Sequence, residues 1–248
     1  PYAAHEIGAT GVPATRFEGI CATAALALKE AFISVASGFH DIVLAGGTER
    51  AVIMGTPYAT RTFIMGADAK YEFPSGITFP GVFAMLAHLY SKKYNVPIET
   101  LKEAMALVAV KNHENGTLNP KAHFQKRITI EDVRKSPMIC DPLQLYDCCP
   151  FSDGAAVCIL ASEEKAKKLT KKPVYITGVG QASAGPLYTQ RDIPRIKARE
   201  KSAEMAYKMA GITPKDIDIC ELHDCFTIAE IIATESLGFF EHGEGWKA

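Results

Sequence analysis

The stretch that decides the fold is Arg16-Phe-Glu-Gly-Ile-Cys-Ala-Thr-Ala-Ala-Leu-Ala-Leu-Lys-Glu-Ala-Phe-Ile-Ser-Val-Ala-Ser-Gly38. It reads as a short extended run ending at Cys21, followed at once by a helix over 22–37. Ala22, Ala24, Ala25, Leu26, Ala27, Leu28, Ala31, Phe32, Ile33, Val35 and Ala36 leave that helix almost no polar face, which predicts burial on nearly all sides. Gly38 closes it as a left-handed residue just past the last turn. A thiol at a helix N-terminus sits beside unpaired backbone N–H groups and the positive end of the helix dipole. Both favour thiolate and raise reactivity. The same residue also reads as an inert core thiol, since free cysteine is among the most buried residue types.

Working outward, Phe39-His-Asp-Ile-Val-Leu-Ala-Gly-Gly-Thr-Glu-Arg50 reads as a buried strand, Ile42 to Ala45, entering a Gly-Gly turn. A strand, a helix and a strand in succession favour a parallel or mixed sheet. Far downstream, Ile217 to Leu222 reads as another strand and runs into His223-Asp-Cys-Phe226, after which a helix spans Thr227 to Leu237 and stops at Gly238. Between these, a helix is expected from Gly81 to Tyr94. A second, Leu101 to Asn112, is expected with Thr100 and Glu103 as a capping box, and a turn from Asn112 to Pro120 follows. Residues 1–16 and 51–80 read as loops. Ile130–Arg134 is a short helix, Ala155–Leu160 a buried strand, Ser162–Leu169 a capped and exposed helix, Val174–Ser183 a strand and Ile196–Ala210 an amphipathic helix closed by Gly211. Gly178 and Gly180 lack the spacing of a phosphate-binding loop.

Composition bounds the function. The chain has 248 residues, 48% apolar and 22% charged, which is ordinary for a globular enzyme and enough for a substantial core. A formal charge of −1 gives no reason to expect nucleic acid or a membrane surface as partner. No apolar run approaches the ~18 residues that cross a bilayer. Seven cysteines, two of them adjacent at Cys148-Cys149, show no disulfide-like spacing and suit a reducing cytosol, so the expected location is cytoplasmic. Cys220, His223 and Cys225 match no common zinc spacing, and no metal is expected.

The order strand, Cys21, small-residue helix, Ser37-Gly38, Asp41-Ile-Val-Leu-Ala-Gly-Gly-x-Glu49 resembles the nucleophile region of the thiolase superfamily. Glu221-Leu-His-Asp-Cys-Phe-Thr-Ile-Ala-Glu230 resembles the second active-site motif of the sterol-carrier-protein-type and archaeal-type branches. The resemblance implies an α/β thiolase fold, layered α/β/α/β/α with mixed sheets and an inserted loop domain, incomplete at both termini. Residues 1–50 then belong to the N-terminal half, 51–140 to the loop domain on the coenzyme A side, and 141–248 to the first part of the C-terminal half.

The implied activity is acyl-CoA C-acyltransfer, forming or cleaving a 3-oxoacyl-CoA through an acyl-cysteine on Cys21, with His223 stabilising a thioester oxyanion. Cys149 falls where thiolases line the pantetheine tunnel, and reads equally as a small core residue beside Pro150. His113 lines the coenzyme A site or caps its helix. Phe226 walls the acyl pocket or is ordinary core. Asp153 orients a loop, and Asp224 holds a neighbouring group in place.

No cofactor is bound permanently, and coenzyme A esters are substrates. The resemblance further implies a homodimer or tetramer and, in the archaeal-type branch, a small OB-fold protein with a zinc ribbon and sometimes hydroxymethylglutaryl-CoA synthase. Two departures bear on activity. Ala22-Thr23-Ala24 stands where Ala-Ser-Gly is usual after the nucleophile, and neither a Gly-His-Pro nor a late Cys-x-Gly motif occurs. The 248-residue piece by itself is therefore expected to be inactive. A retro-aldolase acting on a coenzyme A ester and a non-catalytic partner subunit are the competing readings.

Overall fold

The computed structural model describes residues 2–248; Pro1 lies outside them. In chain order the elements are α1 (Tyr2–Glu6), α2 (Thr23–Ala36), β1 (Ile42–Arg50), α3 (Thr56–Phe63), α4 (Phe79–Tyr94), α5 (Ile98–Leu118), α6 (Ile130–Lys135), β2 (Met138–Cys140), β3 (Leu143–Gln144), β4 (Asp153–Ala161), α7 (Glu163–Leu169), α8 (Lys197–Ala210) and α9 (Thr227–Ser236). The chain is α/β. It divides into two compact units, one of residues 1–50 with 153–176, the other of 51–152 with 177–248.

In the first unit β1 and β4 pair antiparallel over nine residues each, from Ile42 opposite Ala161 to Arg50 opposite Asp153. The tightness of this pairing explains Gly46: a Cβ there would lie 2.4 Å from Val157 Cγ1 and 2.7 Å from the Ala156 carbonyl oxygen. Helix α2 packs on β1, and Gly47 faces Ala24 across that contact. Gly38 takes φ +74°, as its place after the helix requires.

Several expectations are corrected here. The run before Cys21 forms no strand, so the parallel strand–helix–strand unit is not made. Helix α2 buries only Ala31, β1 only Ala45, and β4 stands open, with Val157 and Ile159 about two-thirds exposed (70% and 68%). An apolar sequence specifies a face that seeks cover but does not supply the cover. Residues 1–16 carry the short helix α1 where a loop was expected. Ser162, expected to cap α7, makes no side-chain cap and instead donates its hydroxyl to Asp41.

The second unit holds the buried core. Tyr90, Leu101, Met105, Leu143, Ile228 and Ile232 are fully enclosed, and α4, α5 and α9 supply most of the cluster. Each such aliphatic side chain stabilises the unit by about 1.5–3 kcal/mol relative to exposure. The helix buried nearly all round is α9, not α2: Thr227, Ile228, Ala229, Ile231, Ile232, Ala233, Glu235 and Ser236 are all enclosed. Its acidic member is satisfied, since Glu235 accepts hydrogen bonds from the Tyr90 hydroxyl and from Gly245 N at 2.9 Å.

Helix α5 starts at Ile98 behind Pro97, so Thr100 falls inside it and the expected capping box is not formed. The helix also runs through the expected turn to Leu118. Its apolar face, with Ala106 and Ala109 against Ile128 and Val133, outweighs the poor helix propensity of the Asn-Gly stretch. Between 51 and 80 the expected loop contains α3. Residues 174–183 and 217–222, read as strands, form no ladder among the described residues, and Val174 and Ile219 are 95% and 83% exposed. A strand is defined by its hydrogen-bonded neighbour, which an apolar pattern does not reveal. Within the second unit, Gly178 and Gly180 instead press against α8: added Cβ atoms would come within 2.2 Å of the Ala206 carbonyl oxygen and 1.9 Å of that of Ser202.

Candidate active site

Cys21 sits in the first unit, in a 3₁₀ turn (Ile20–Ala22) that leads directly into α2. The residue before it carries the local strain. Ile20 has φ +54°, a region that β-branched residues rarely enter and that costs on the order of 1–3 kcal/mol. Glu18 holds the turn closed. Its Oε1 accepts the N–H of Ile20 at 2.9 Å and that of Gly19 at 3.1 Å, and lies 3.1 Å from Thr23 Oγ1. Thr23 Oγ1 in turn accepts from Gly19 N at 2.9 Å and lies 2.8 Å from the Ile20 carbonyl oxygen. The Ile20 N–H, then the Thr23 hydroxyl, hold the Glu18 carboxyl below its ordinary range.

This arrangement corrects the thiolate expectation. Burial of the sulfur pushes the Cys21 thiol above its ordinary value, only partly offset by its own backbone N–H. The anion satisfied by the Gly19 and Ile20 N–H groups is the Glu18 carboxylate, so those donors are not free to stabilise a thiolate. The residue as a whole is nevertheless exposed, not an enclosed core cysteine. Glu18 carries an N-terminal signal that the sequence already held, an acidic side chain just ahead of a helix.

The other candidate residues lie in the second unit. His223 is exposed, ahead of the first turn of α9. The residues after it are tied down in turn. Asp224 Oδ2 accepts from Asn112 Nδ2, the Cys225 carbonyl accepts Cys149 N at 3.0 Å, and Phe226 makes an antiparallel bridge with Cys148. Burial, then the neighbouring Glu230 carboxylate, pushes the Asp224 carboxyl above its ordinary range. Thr227 opens α9 and donates its hydroxyl to Asp147 at 2.7 Å, both residues being buried.

Cys149 is exposed, and its backbone N–H ties it to the His223–Phe226 segment. Its neighbour Cys148 has a thiol pushed up to about 12, by burial first and then by Asp147. Phe226 is 5% exposed and stacks on Phe83 with centroids 4.6 Å apart, inside the core cluster. His113 does not end its helix, so it does not cap it. Its Nδ1–H donates to the Lys126 carbonyl at 2.9 Å, and its ring lies beside Phe124 and Tyr146. Asp153 begins β4 opposite Arg50. Among the described residues no group of three His, Cys, Asp or Glu could hold a metal ion. None of their helices is long and apolar enough to cross a membrane.

Comparison with known proteins adds to this geometry. The family model described as "Thiolase, N-terminal domain" matches residues 2–164, and that described as "Thiolase C-terminal domain-like" matches 180–248. The chain is 44% identical over 246 residues to an acetyl-CoA acetyltransferase of Methanothermobacter thermautotrophicus, covering 99% of this chain and 63% of that protein. It is 36% identical over 248 residues to the benzoylsuccinyl-CoA thiolase subunit BbsB of Thauera aromatica, covering 98% of this chain and 62% of that one. A solved structure titled "Ltp2-ChsH2(DUF35) aldolase" superposes with a TM-score of 0.75 at 30% identity, covering 92% of this chain and 58% of its own. The chain thus spans somewhat under two-thirds of the length of these relatives.

Proposed function

Because the chain belongs to the thiolase family, we propose that the whole protein is an acyl-CoA C-acyltransferase that works through an acyl-cysteine on Cys21. The observation that carries this reading is the position of Cys21: exposed, at the head of α2, on a turn strained at Ile20 and clamped by Glu18. Strain retained at one residue beside a nucleophile is a mark of a functional turn.

In the proposed half-reaction the Cys21 thiol gives up its proton and its sulfur attacks the thioester carbon of an acyl-CoA. A new C–S bond forms, the bond to coenzyme A breaks, and the coenzyme A thiolate leaves with the electron pair and takes a proton. His223 serves by donating an N–H to the thioester oxygen as negative charge develops there, and removal of one such donor costs on the order of 10²–10³ in turnover. The acyl chain is left open, with acetyl and aromatic groups both represented among the relatives' names. A homodimer or tetramer is proposed, and a second protein beside it, consistent with the two-component title of the superposed structure.

The test is intact mass of the full-length protein after incubation with acetyl-CoA, acetoacetyl-CoA or a longer or aromatic ester, with peptide mapping. An acyl adduct on Cys21, lost in Cys21→Ala, is expected. The likeness to a structure titled aldolase favours one second reading, a carbon–carbon cleavage of a coenzyme A ester without an acyl-cysteine. Turnover of such an ester with no adduct on Cys21, undiminished in Cys21→Ala, would establish that reading instead.

A further inference from the structure

Two consecutive residues of α5, Lys111 and Asn112, each reach a carboxylate on the His223 side of the second unit. Lys111 Nζ pairs with Glu230 Oε1, whose side chain is 15% exposed. Asn112 Nδ2 donates to Asp224 Oδ2 and, at 3.5 Å, faces Glu230 Oε2. Asp224 directly follows His223, and Glu230 lies in the first turns of α9. Two carboxylates this close repel, and burial removes the water that would screen them. One amide directed at both, with an ammonium group beside it, offsets that repulsion.

The position of the tie matters. Upstream of His223, residues 217–222 form no ladder among the described residues. Downstream, Asp224–Asn112 is the first side-chain tie, and the Cys225 and Phe226 contacts come after it.

We propose that Asn112 is a positioning residue for His223: by holding Asp224 it sets the direction in which the His223 ring is presented. This rests on the reading of His223 as the oxyanion donor. Helix α5 belongs to the stretch read from sequence as the coenzyme A side of the protein, so the proposal makes that stretch a support for the chemistry as well. A donor displaced by about 1 Å can cost on the order of a hundredfold in rate.

The experiment is a double-mutant cycle on the full-length protein, with cleavage of acetoacetyl-CoA by coenzyme A as the assay. His223→Ala is expected to lower kcat at least a hundredfold. Asn112→Ala is expected to lower it about tenfold to a hundredfold with KM within about twofold. In the His223→Ala background, adding Asn112→Ala is expected to change kcat less than about twofold, since an absent ring cannot be misdirected. An unchanged kcat in His223→Ala overturns the reading of His223 itself. A lowered kcat in His223→Ala together with an unchanged one in Asn112→Ala, or an equal factor from Asn112→Ala in both backgrounds, overturns the positioning role alone.

Asn112→Asp, which keeps the side-chain volume, covers the case in which the alanine variant does not fold. It places a third carboxylate among Asp224, Glu230, Lys111, His223 and Cys220. Its kcat relative to wild type is therefore expected to rise as pH falls and that carboxyl is protonated; a ratio constant with pH overturns the proposal.

Discussion

Replacing Thr227 by valine removes one hydroxyl from the first turn of α9 and little else, since the two side chains have nearly the same shape. In the native protein that hydroxyl donates at 2.7 Å to Asp147, and both residues are about 95% enclosed. Asp147 keeps one further hydrogen bond, from Gln144 N at 2.9 Å. A hydrogen bond to a buried charged group contributes about 1.5–3 kcal/mol, against about 0.5–1.5 kcal/mol when the acceptor is neutral.

The pH dependence follows from the direction of the Asp147 shift. Burial raises its carboxyl above the ordinary value, while the Gln144 and Thr227 hydrogen bonds pull it back. The native state therefore holds this proton at pH values where the unfolded chain has lost it. The stability contributed by Asp147 is greatest at low pH and declines as pH rises through the folded value. Thr227→Val removes a group that lowers the folded value, so it raises that value further and deepens the decline. The loss is thus expected to be about 1.5–3 kcal/mol at pH values above the folded value of Asp147 and clearly smaller at the acid end of the series, below it.

Urea denaturation followed by the fluorescence of Trp246, the single tryptophan, which is partly buried and packs against the second unit's core cluster, measures it. A loss below about 0.5 kcal/mol at the alkaline end of the series, or one that does not shrink toward its acid end, would refute the reasoning.

Two further predictions concern other parts of the chain. In the free protein, alkylation of Cys21 by iodoacetamide is expected to rise with pH to a midpoint above that of an ordinary exposed thiol, with Cys148 the slower of the two, and mapping of alkylated peptides across pH reads it. A Cys21 midpoint at or below the ordinary thiol value would show that the helix end outweighs desolvation after all. Gly180→Ala is expected to cost about 1–3 kcal/mol by thermal melting, since its new methyl would meet Ser202 O at 1.9 Å, whereas Gly154→Ala, with open space around it, should stay within about 0.5 kcal/mol of wild type. Equal effects of the two substitutions would remove the account of the 178–180 glycines.

The local elements were legible wherever the sequence carried both a period and a stop. Helices α4, α8 and α9 lie where their apolar spacing and their closing Asn95, Gly211 and Gly238 put them, and all three closing residues adopt positive φ. Helix α6 has the capping box of Thr129 and Asp132, one pair of side chains sufficing to fix its start. Where a stop signal was read without its surroundings, it misled. Pro97 displaced the start of α5, and packing against Ile128 and Val133 carried that helix past Asn112 and Gly116.

The same division runs through the candidate site. The residue types and order of Cys21 and of His223–Phe226 are properties of the chain alone, because nucleophile and donor are chosen by their chemistry. The structure added what that chemistry depends on. Burial raises the Cys21 thiol against the expectation, Glu18 takes the N–H groups of Gly19 and Ile20, and Ile20 bears the strain of the turn. Asn112 and Asp224, 112 residues apart, meet through their side chains.

Sequence by itself determined the turns, caps, apolar faces and reactive side chains, since these follow from the conformational and chemical preferences of each residue and its near neighbours. Only the tertiary structure decided which faces are covered, which N–H groups are already taken and which distant carboxylates share a donor. Burial and hydrogen-bond partnership are relations between residues that the chain brings together only by folding.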